Sequence, residues 1–450
     1  MTANFELKLT ADGNDEGRWL CLHYRRGQRM KSAFLGVRVP GHLNPMTTLA
    51  RKLNARGHDV VFISVLDMEP YVRAANLPFI PYCEKEFPRG SVRQTMDHLS
   101  KLQGQVALEF AIQSVAANLE ASIRNLPRTL RDARVDALVL DQIEFGHGIV
   151  PMHLDMPYVH VSNALHFDFS GHAPLCTFDW PHEVTPEALA RNQAGVQGFM
   201  RAYEPAASVM RVYAKQVGLD IDWTNPYATI SKLAWITQTP KEFDFESAHL
   251  PSQFHYTGPF HDGLGRIESE FPWNRLTGEP LIYASMGTLQ NGLESVFTAI
   301  AEAVGVRPGM QLVLNTGANV DPTRENSLPA NSIVVNNAPQ LELLKRSALC
   351  ITHSGLNTAL ESLTQGVPMV AIPVAHDQPG VAARIAYTKT GDYVPIQELT
   401  TSRLSSLIDL VLSDPEYRHN AGNIKQTIVH TNGLERAVDL LERAFTLPIR

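Results

Sequence analysis

Short apolar runs alternate with amphipathic stretches along most of the chain. In the first half the runs are AFLGVRV, DVVFISV, ALVLD, YVHVS and LAWIT; in the second they are LIYASMG, QLVLNTG, SIVVN, ALCIT and MVAIPV. They are apolar at consecutive rather than alternate positions, the pattern of strands buried on both faces. Between them lie stretches of helical period. Met46, Leu49, Ala50 and Leu53 fall at i, i+3, i+4 and i+7 on one stripe, with Asn44 as a plausible cap, Pro45 in the first turn and Gly57 as a stop. A longer helix is predicted over 105–131, and another over 357–365 with Gly366 ending it. Strands alternating with helices in this way predict parallel sheets covered on both faces.

The alternation breaks twice. Residues 1–29 carry no strand or helix period and lack the basic start and apolar run of a signal peptide, so they read as an N-terminal extension outside the core. The segment HDGLGRIESEFPWNRLTGEP is polar and irregular, and residues 261–279 within it read as a linker. The expected organisation is therefore a first domain over 30–260 and a second over 280–450. Both are α/β and Rossmann-like, facing each other across a cleft with ligands at the carboxyl ends of the strands.

Composition narrows the functional classes. A chain of 450 residues with a formal charge of −7 argues against a nucleic-acid surface, and no apolar run approaches the roughly 20 residues that span a bilayer. The four cysteines, Cys21, Cys83, Cys176 and Cys350, have no metal-type spacing and read as reduced thiols of a cytoplasmic protein.

Candidate chemistry concentrates at two strand ends. THSGLNTALES follows the run ALCIT and opens a helix. A helix N-terminus offers unpaired N–H groups and about half a positive charge, and Gly355 lets a ligand approach the backbone, so an anion site, with phosphate the default, is expected there. His353 suits a donor to that anion, or equally a cap on its strand. In the first half, PGHLNP puts His42 between the first strand and the first helix, and Asp141 ends ALVLD at the same sheet edge. An imidazole of near-neutral pKa makes a general base when a carboxylate fixes its tautomer. Asp136 and Glu144 are the other carboxylates near enough in sequence for that part.

The run APQLELLKRSALCITHSGLNTALESLTQGVPMVAIPVAHDQ closely resembles the donor-binding signature of the UDP-sugar glycosyltransferases of GT-B fold, and DQPGVAARI is most similar to the bacterial branch with zeaxanthin and macrolide glucosyltransferases. The resemblance implies that His353, Gly355 and Thr358 meet the diphosphate of a nucleotide sugar, where the helix mouth itself offers Asn357 as a further donor, and that Glu361 binds the ribose hydroxyls. It places Asn337, Ala338 and Gln340 at the base and ribose, Asp377 and Gln378 on the transferred sugar, and Ser285, Gly287 and Thr288 in a glycine loop near the phosphates, with Gly41 on the facing loop. It makes His42 the base that deprotonates an acceptor hydroxyl and Asp141 its partner, in an inverting transfer without metal or cofactor. Many relatives stack a Trp on uracil where this chain has Asn337, and some carry a Trp where it has Leu356; UDP-sugar is the expected co-substrate, and TDP-sugar stays open.

The acceptor is expected to be a lipophilic phenol, flavonoid, carotenoid or macrolide-like alcohol, held by first-domain residues including Met68, Tyr71, Phe87, His166 and Phe167, although the aromatic residues read equally well as core. Two other readings stay open: a nucleotide-sugar epimerase on the same fold, and a non-catalytic sugar-nucleotide sensor.

Overall fold

The computed structural model describes residues 30–99, 104–246, 249–266, 269–287, 294–317 and 329–446. The N-terminal extension assigned to 1–29, and Thr288, lie outside the described residues.

The first unit runs β1 (Lys31–Leu35), α1 (Pro40–Ala55), β2 (Asp59–Ser64), α2 (Glu69–Ala74), β3 (Phe79–Pro81), α3 (Ser91–Leu99), α4 (Gly104–Asp132), β4 (Ala137–Asp141), α5 (Ile149–His153), β5 (Tyr158–Ser162), α6 (Pro186–Ala202), α7 (Glu204–Val217), β6 (Trp235–Thr237) and β7 (Phe254–Tyr256). The second runs β8 (Leu281–Ser285), α8 (Glu294–Gly305), β9 (Gln311–Asn315), β10 (Ser332–Val335), α9 (Gln340–Leu344), β11 (Ser347–Thr352), α10 (Leu356–Gln365), β12 (Met369–Ala371), α11 (Gln378–Tyr387), β13 (Gly391–Tyr393), α12 (Thr401–Ser413), α13 (Pro415–Thr431) and α14 (Gly433–Thr446).

Among the described residues the strands form a seven-stranded sheet, β3-β2-β1-β4-β5-β6-β7, and a six-stranded sheet, β10-β9-β8-β11-β12-β13. Every strand pairing is parallel. Burial on both faces accounts for the unbroken apolar runs: Ala33, Phe34, Val139, Leu140, Ile282, Tyr283, Cys350 and Ile351 are all solvent-inaccessible. Each sheet reverses its winding once, between β1 and β4 in the first and between β8 and β11 in the second. Such switch points leave a crevice at the strands' carboxyl ends. His42 follows β1 and Asp141 ends β4, while Ser285 ends β8 and His353 follows β11, so both candidate sites sit at switch points.

The two units are tightly joined. Arg384 of α11 donates to Asp244 of the first unit at 2.6 Å, both side chains being almost fully buried. Tyr256 also donates to Asp244, at 2.7 Å. The last helix, α14, returns to the first unit, where Glu435, Asp439 and Glu442 pair with Arg56 at the end of α1. Gly258 and Gly433 meet backbone to backbone, a Cβ on Gly433 falling 2.5 Å from the Gly258 carbonyl oxygen.

Candidate active site

Helix α1 begins earlier than its apolar stripe predicts. Val39 is the N-cap and Pro40 takes the first position, so PGHLNP forms the opening turns, with His42 in the first turn and Pro45 inside the helix. Pro40 suits that position because an N–H there would have no partner. Pro45 has a second effect: lacking an N–H, it leaves the carbonyl of Gly41, four residues back, without its helical donor. The side-chain amide of Asn357, from α10 of the other unit, donates to that carbonyl at 2.5 Å. Its carboxamide oxygen in turn accepts from Gln238 at 2.7 Å. Asn357 thus spends both polar ends on the interface between the units.

His42 Nδ1 lies 2.7 Å from Asp141 Oδ2. Asn163 donates to the same oxygen at 2.8 Å, and the Ile143 N–H donates to Oδ1 at 3.0 Å. Asp141 is therefore held on both oxygens, and a neutral imidazole must place its proton on Nδ1, leaving the Nε2 lone pair for an incoming hydroxyl. The His42 side chain keeps 18% of its surface accessible while Asp141 keeps none, so the ring faces the crevice and the carboxylate backs it. Burial alone would lower the ring's pKa. The Asp141 charge and hydrogen bond outweigh it, with lesser help from Asp377 and Glu144, and the ring is held above the ordinary histidine value. Of the other carboxylates, Asp136 accepts from the Lys31 backbone N–H at 2.8 Å, where β1 begins rather than where it ends. Glu144 acts on His42 through its field.

Opposite, α10 starts at Leu356 with Gly355 as N-cap, and among the described residues no side chain caps it, which leaves its first N–H groups open to a ligand. His353 lies against that opening, its ring wedged between two glycines. A Cβ on Gly287 or Gly355 would lie 2.7 or 2.5 Å from ring atoms. Burial pulls the His353 ring down to about 4 despite Asp377 nearby, so it is neutral at physiological pH and offers one N–H; its buried Nδ1 has no partner among the described residues. Ser354 adopts φ +59°, unusual for a residue with a side chain, and its hydroxyl ties the loop to the Gln378 carbonyl at 3.0 Å.

Behind these groups Glu361 is buried on α10. Its Oε2 accepts from Gln340 at 2.6 Å and its Oε1 from Arg266 at 2.5 Å. Gln340 is itself fixed by Tyr283, whose hydroxyl donates to it at 2.9 Å, and its amide also reaches the Thr358 hydroxyl at 3.3 Å. Asp377 accepts from the Leu165 N–H of the first unit at 2.9 Å, and the Gln378 oxygen accepts from the N–H groups of Val374 and Ala375. Ser285 is buried, its Oγ accepting from the Gly287 N–H at 3.4 Å; Asn337 is exposed, next to a half-buried Ala338.

The acceptor candidates divide. Phe167 is buried in an aromatic cluster with Phe145, Phe169 and Phe199, Phe87 lies under the Arg38 guanidinium at 4.0 Å, and Tyr71 is half-buried. Met68 is packed in the core, and His166 faces Asp244 at 3.4 Å among Trp235, Phe254 and Tyr256.

Residues 220–445, which hold all of the donor-side groups above, match the family model for UDP-glucoronosyl and UDP-glucosyl transferase. The chain belongs to this family. It is 27% identical over 416 residues to the zeaxanthin glucosyltransferase of Pantoea ananas, an alignment covering 92% of this chain and 96% of that protein. It is 24% identical to the NDP-glycosyltransferase YjiC of Bacillus subtilis (strain 168), covering 91% and 96%. Among solved structures, the glycosyltransferase of kitacinnamycin superposes with a TM-score of 0.72 at 22% identity, covering 93% of this chain and all of that one. The fold is that of the GT-B glycosyltransferases, and as a UDP-glycosyltransferase family member the chain is an enzyme. Among the described residues no helix is long and apolar enough to cross a membrane.

Three residues of this glycosyltransferase's crevice carry no signal in the sequence that assigns them: Asn163 behind Asp141, Gln238 beside Asn357, and Arg266 on Glu361. The nearest thing to a signal is Pro45, since a proline inside a helix leaves a carbonyl that something must fill.

Proposed function

We propose that the chain is an inverting glycosyltransferase that moves a sugar, most simply glucose, from a UDP-sugar to a hydroxyl of a lipophilic small-molecule acceptor. The observation that carries this reading is the His42–Asp141 pair, with Nε2 left facing the crevice opposite the N-terminus of α10. The Nε2 lone pair takes the acceptor's proton as its oxygen attacks the anomeric carbon. The nucleoside diphosphate departs from the opposite face of the sugar, so the configuration inverts. Charge developing on the diphosphate meets the open N–H groups of α10 and the neutral His353 ring, donors already oriented before the reaction. Glu361 takes the ribose hydroxyls, Asp377 and Gln378 the sugar, and no metal is required at the diphosphate.

The acceptor is a phenol, flavonoid, carotenoid or macrolide-like alcohol. The first of these classes to test beyond simple phenols is the carotenoids, because the Pantoea ananas relative is a zeaxanthin glucosyltransferase. The exposed Asn337 has no ring to lay on a base, so a TDP-sugar stays open as a second donor.

The test supplies UDP-glucose or TDP-glucose with a panel of such acceptors and follows the mass of one added hexose, with and without excess chelator. The expected result is chelator-insensitive transfer that falls about 10²–10⁴-fold in His42→Ala, while the stabilisation of that variant by UDP is retained. Near-normal turnover in His42→Ala removes the histidine from the mechanism.

A further inference from the structure

The segment joining the two units is part of the donor site. Arg266 stands on it, outside both sheets, and bonds Glu361 Oε1 at 2.5 Å; His261 Nε2, on the same segment, lies 3.8 Å from that oxygen. Between them the segment grips α1, the helix that carries His42. Arg51 of α1 donates to Asp262 Oδ1 and Oδ2 at 2.6 and 2.5 Å and to the Leu264 carbonyl at 3.1 Å. Its guanidinium lies so close to Gly265 that a Cβ there would fall 1.9 Å from Nη1. Residues 261–266 thus form a strap with one hand on the catalytic helix and the other on a buried carboxylate of the donor unit.

Resting on the reading of Glu361 as the ribose ligand, we propose that Arg266 is a positioning residue for the donor, holding the Glu361 carboxylate in one orientation for the ribose hydroxyls and tying that subsite, through the strap, to the helix that bears His42. A carboxylate can accept about four hydrogen bonds. Arg266 and Gln340 use one on each oxygen, which leaves one on each for two vicinal hydroxyls. Arg266 therefore aims the carboxylate rather than competing for it.

The same contact keeps Glu361 ionised. Burial would push its carboxyl up; the Arg266 charge foremost, with the hydrogen bonds from Arg266 and Gln340, holds it below the usual range. Tyr283 of β8 and Cys350 of β11, which lie in the field of Glu361, are both raised by burial and neutral. Burial also lowers His261, which is itself neutral near pH 7, so nothing else on the strap replaces the guanidinium charge. Without Arg266 the burial effect is left largely unopposed, and the ionised fraction of Glu361 falls as pH falls.

The test titrates UDP and 2′,3′-dideoxy-UDP into the wild-type protein and into Arg266→Gln, Arg266→Lys and Glu361→Gln, by calorimetry at about pH 6 and about pH 8. Affinities are compared as ratios to wild type, so the titration of the nucleotide's own phosphate cancels. Arg266→Gln is expected to weaken UDP about tenfold, the scale of one charge-assisted contact, and more at the lower pH. Arg266→Lys recovers most of the loss, and dideoxy-UDP is little affected by any of the three substitutions. With donor and acceptor supplied, the loss in Arg266→Gln falls on the donor KM more than on kcat. If Glu361→Gln discriminates the two nucleotides but Arg266→Gln binds UDP like wild type, or weakens both nucleotides equally at both pH values, the positioning role is overturned and the ribose reading stands. If Glu361→Gln does not discriminate them, the ribose reading falls and the proposal with it.

Discussion

At the scale of the residue, the crevice is made of groups with little freedom left. Asp141 accepts from His42, Asn163 and the Ile143 N–H, so it cannot turn away from the imidazole without abandoning two other donors. Its effect on the base is a matter of sign. His42 is held above the ordinary histidine value, and a base works only when neutral, so on the proposal that His42 is the base the acid limb of the rate profile should lie above about pH 6.5. Asp141→Asn removes the charge that opposes burial. Its acid limb should move to lower pH while the plateau drops by about 10²–10⁴-fold, the range of a lost base or a wrong tautomer. A pH–rate profile of the two proteins checks both halves, and an unmoved acid limb would detach Asp141 from the base. The pairing was legible because His42 and Asp141 follow or end apolar runs of the same sheet. Asn163 was not, because an Asn after a strand has many commoner uses.

At the scale of the element, the differences from expectation have two causes. Helix α1 starts at Pro40, before Asn44, because Pro40 fits the first helical position and the buried Leu43, three residues before Met46, carries the apolar stripe a turn further towards the N-terminus. The strands β3, β7 and β13 lie at or next to sheet edges and are three residues each, too short to carry a period. By contrast, α10 ends where Gly366 predicts, in the left-handed conformation with φ +70°. Helix α11 shows how closely elements of different units meet. The Gly380 N–H donates to the Cys176 carbonyl at 3.1 Å, and a Cβ at Gly380 would lie 2.3 Å from that oxygen. Gly380→Ala should therefore push the start of α11, with Asp377 and Gln378, away from the first unit. Destabilisation of roughly 1–3 kcal/mol is expected, together with weakened sugar transfer, and thermal unfolding alongside an activity assay would register both. An unchanged midpoint would mean that the loop around Cys176 yields without strain.

At the scale of the molecule, two units that look independent in the sequence are bolted together. Asp244 and Arg384 come from different units and are buried as a pair, with Tyr256 donating to the same carboxylate. Burial would raise the Asp244 carboxyl, but Arg384, then His166 and Tyr256, outweigh it and hold it below the usual range. A depressed carboxyl contributes stability that is present above its unfolded value and disappears as pH falls through the folded one. Asp244→Asn leaves the guanidinium buried without its counter-charge, a change that costs roughly 3–5 kcal/mol. Denaturant unfolding should show that difference undiminished from neutral pH to about pH 5 and shrinking below about pH 4. A difference independent of pH down to strong acid would assign it to packing instead.

The sequence by itself determined the α/β class, the central strands, the places where each sheet leaves a polar group at its carboxyl edge, and the helix mouth that suits an anion. These are local matters: burial on both faces writes itself as an apolar run, and a glycine after a strand writes itself as an open backbone. Only the tertiary structure decided what lies across from each group. That Asn357 fills the carbonyl left open by Pro45, that Leu165 meets Asp377, that α14 returns to α1 and that Arg266 reaches Glu361 are all contacts between residues far apart in the chain. No period or spacing encodes them, because their energy comes from how two finished surfaces fit.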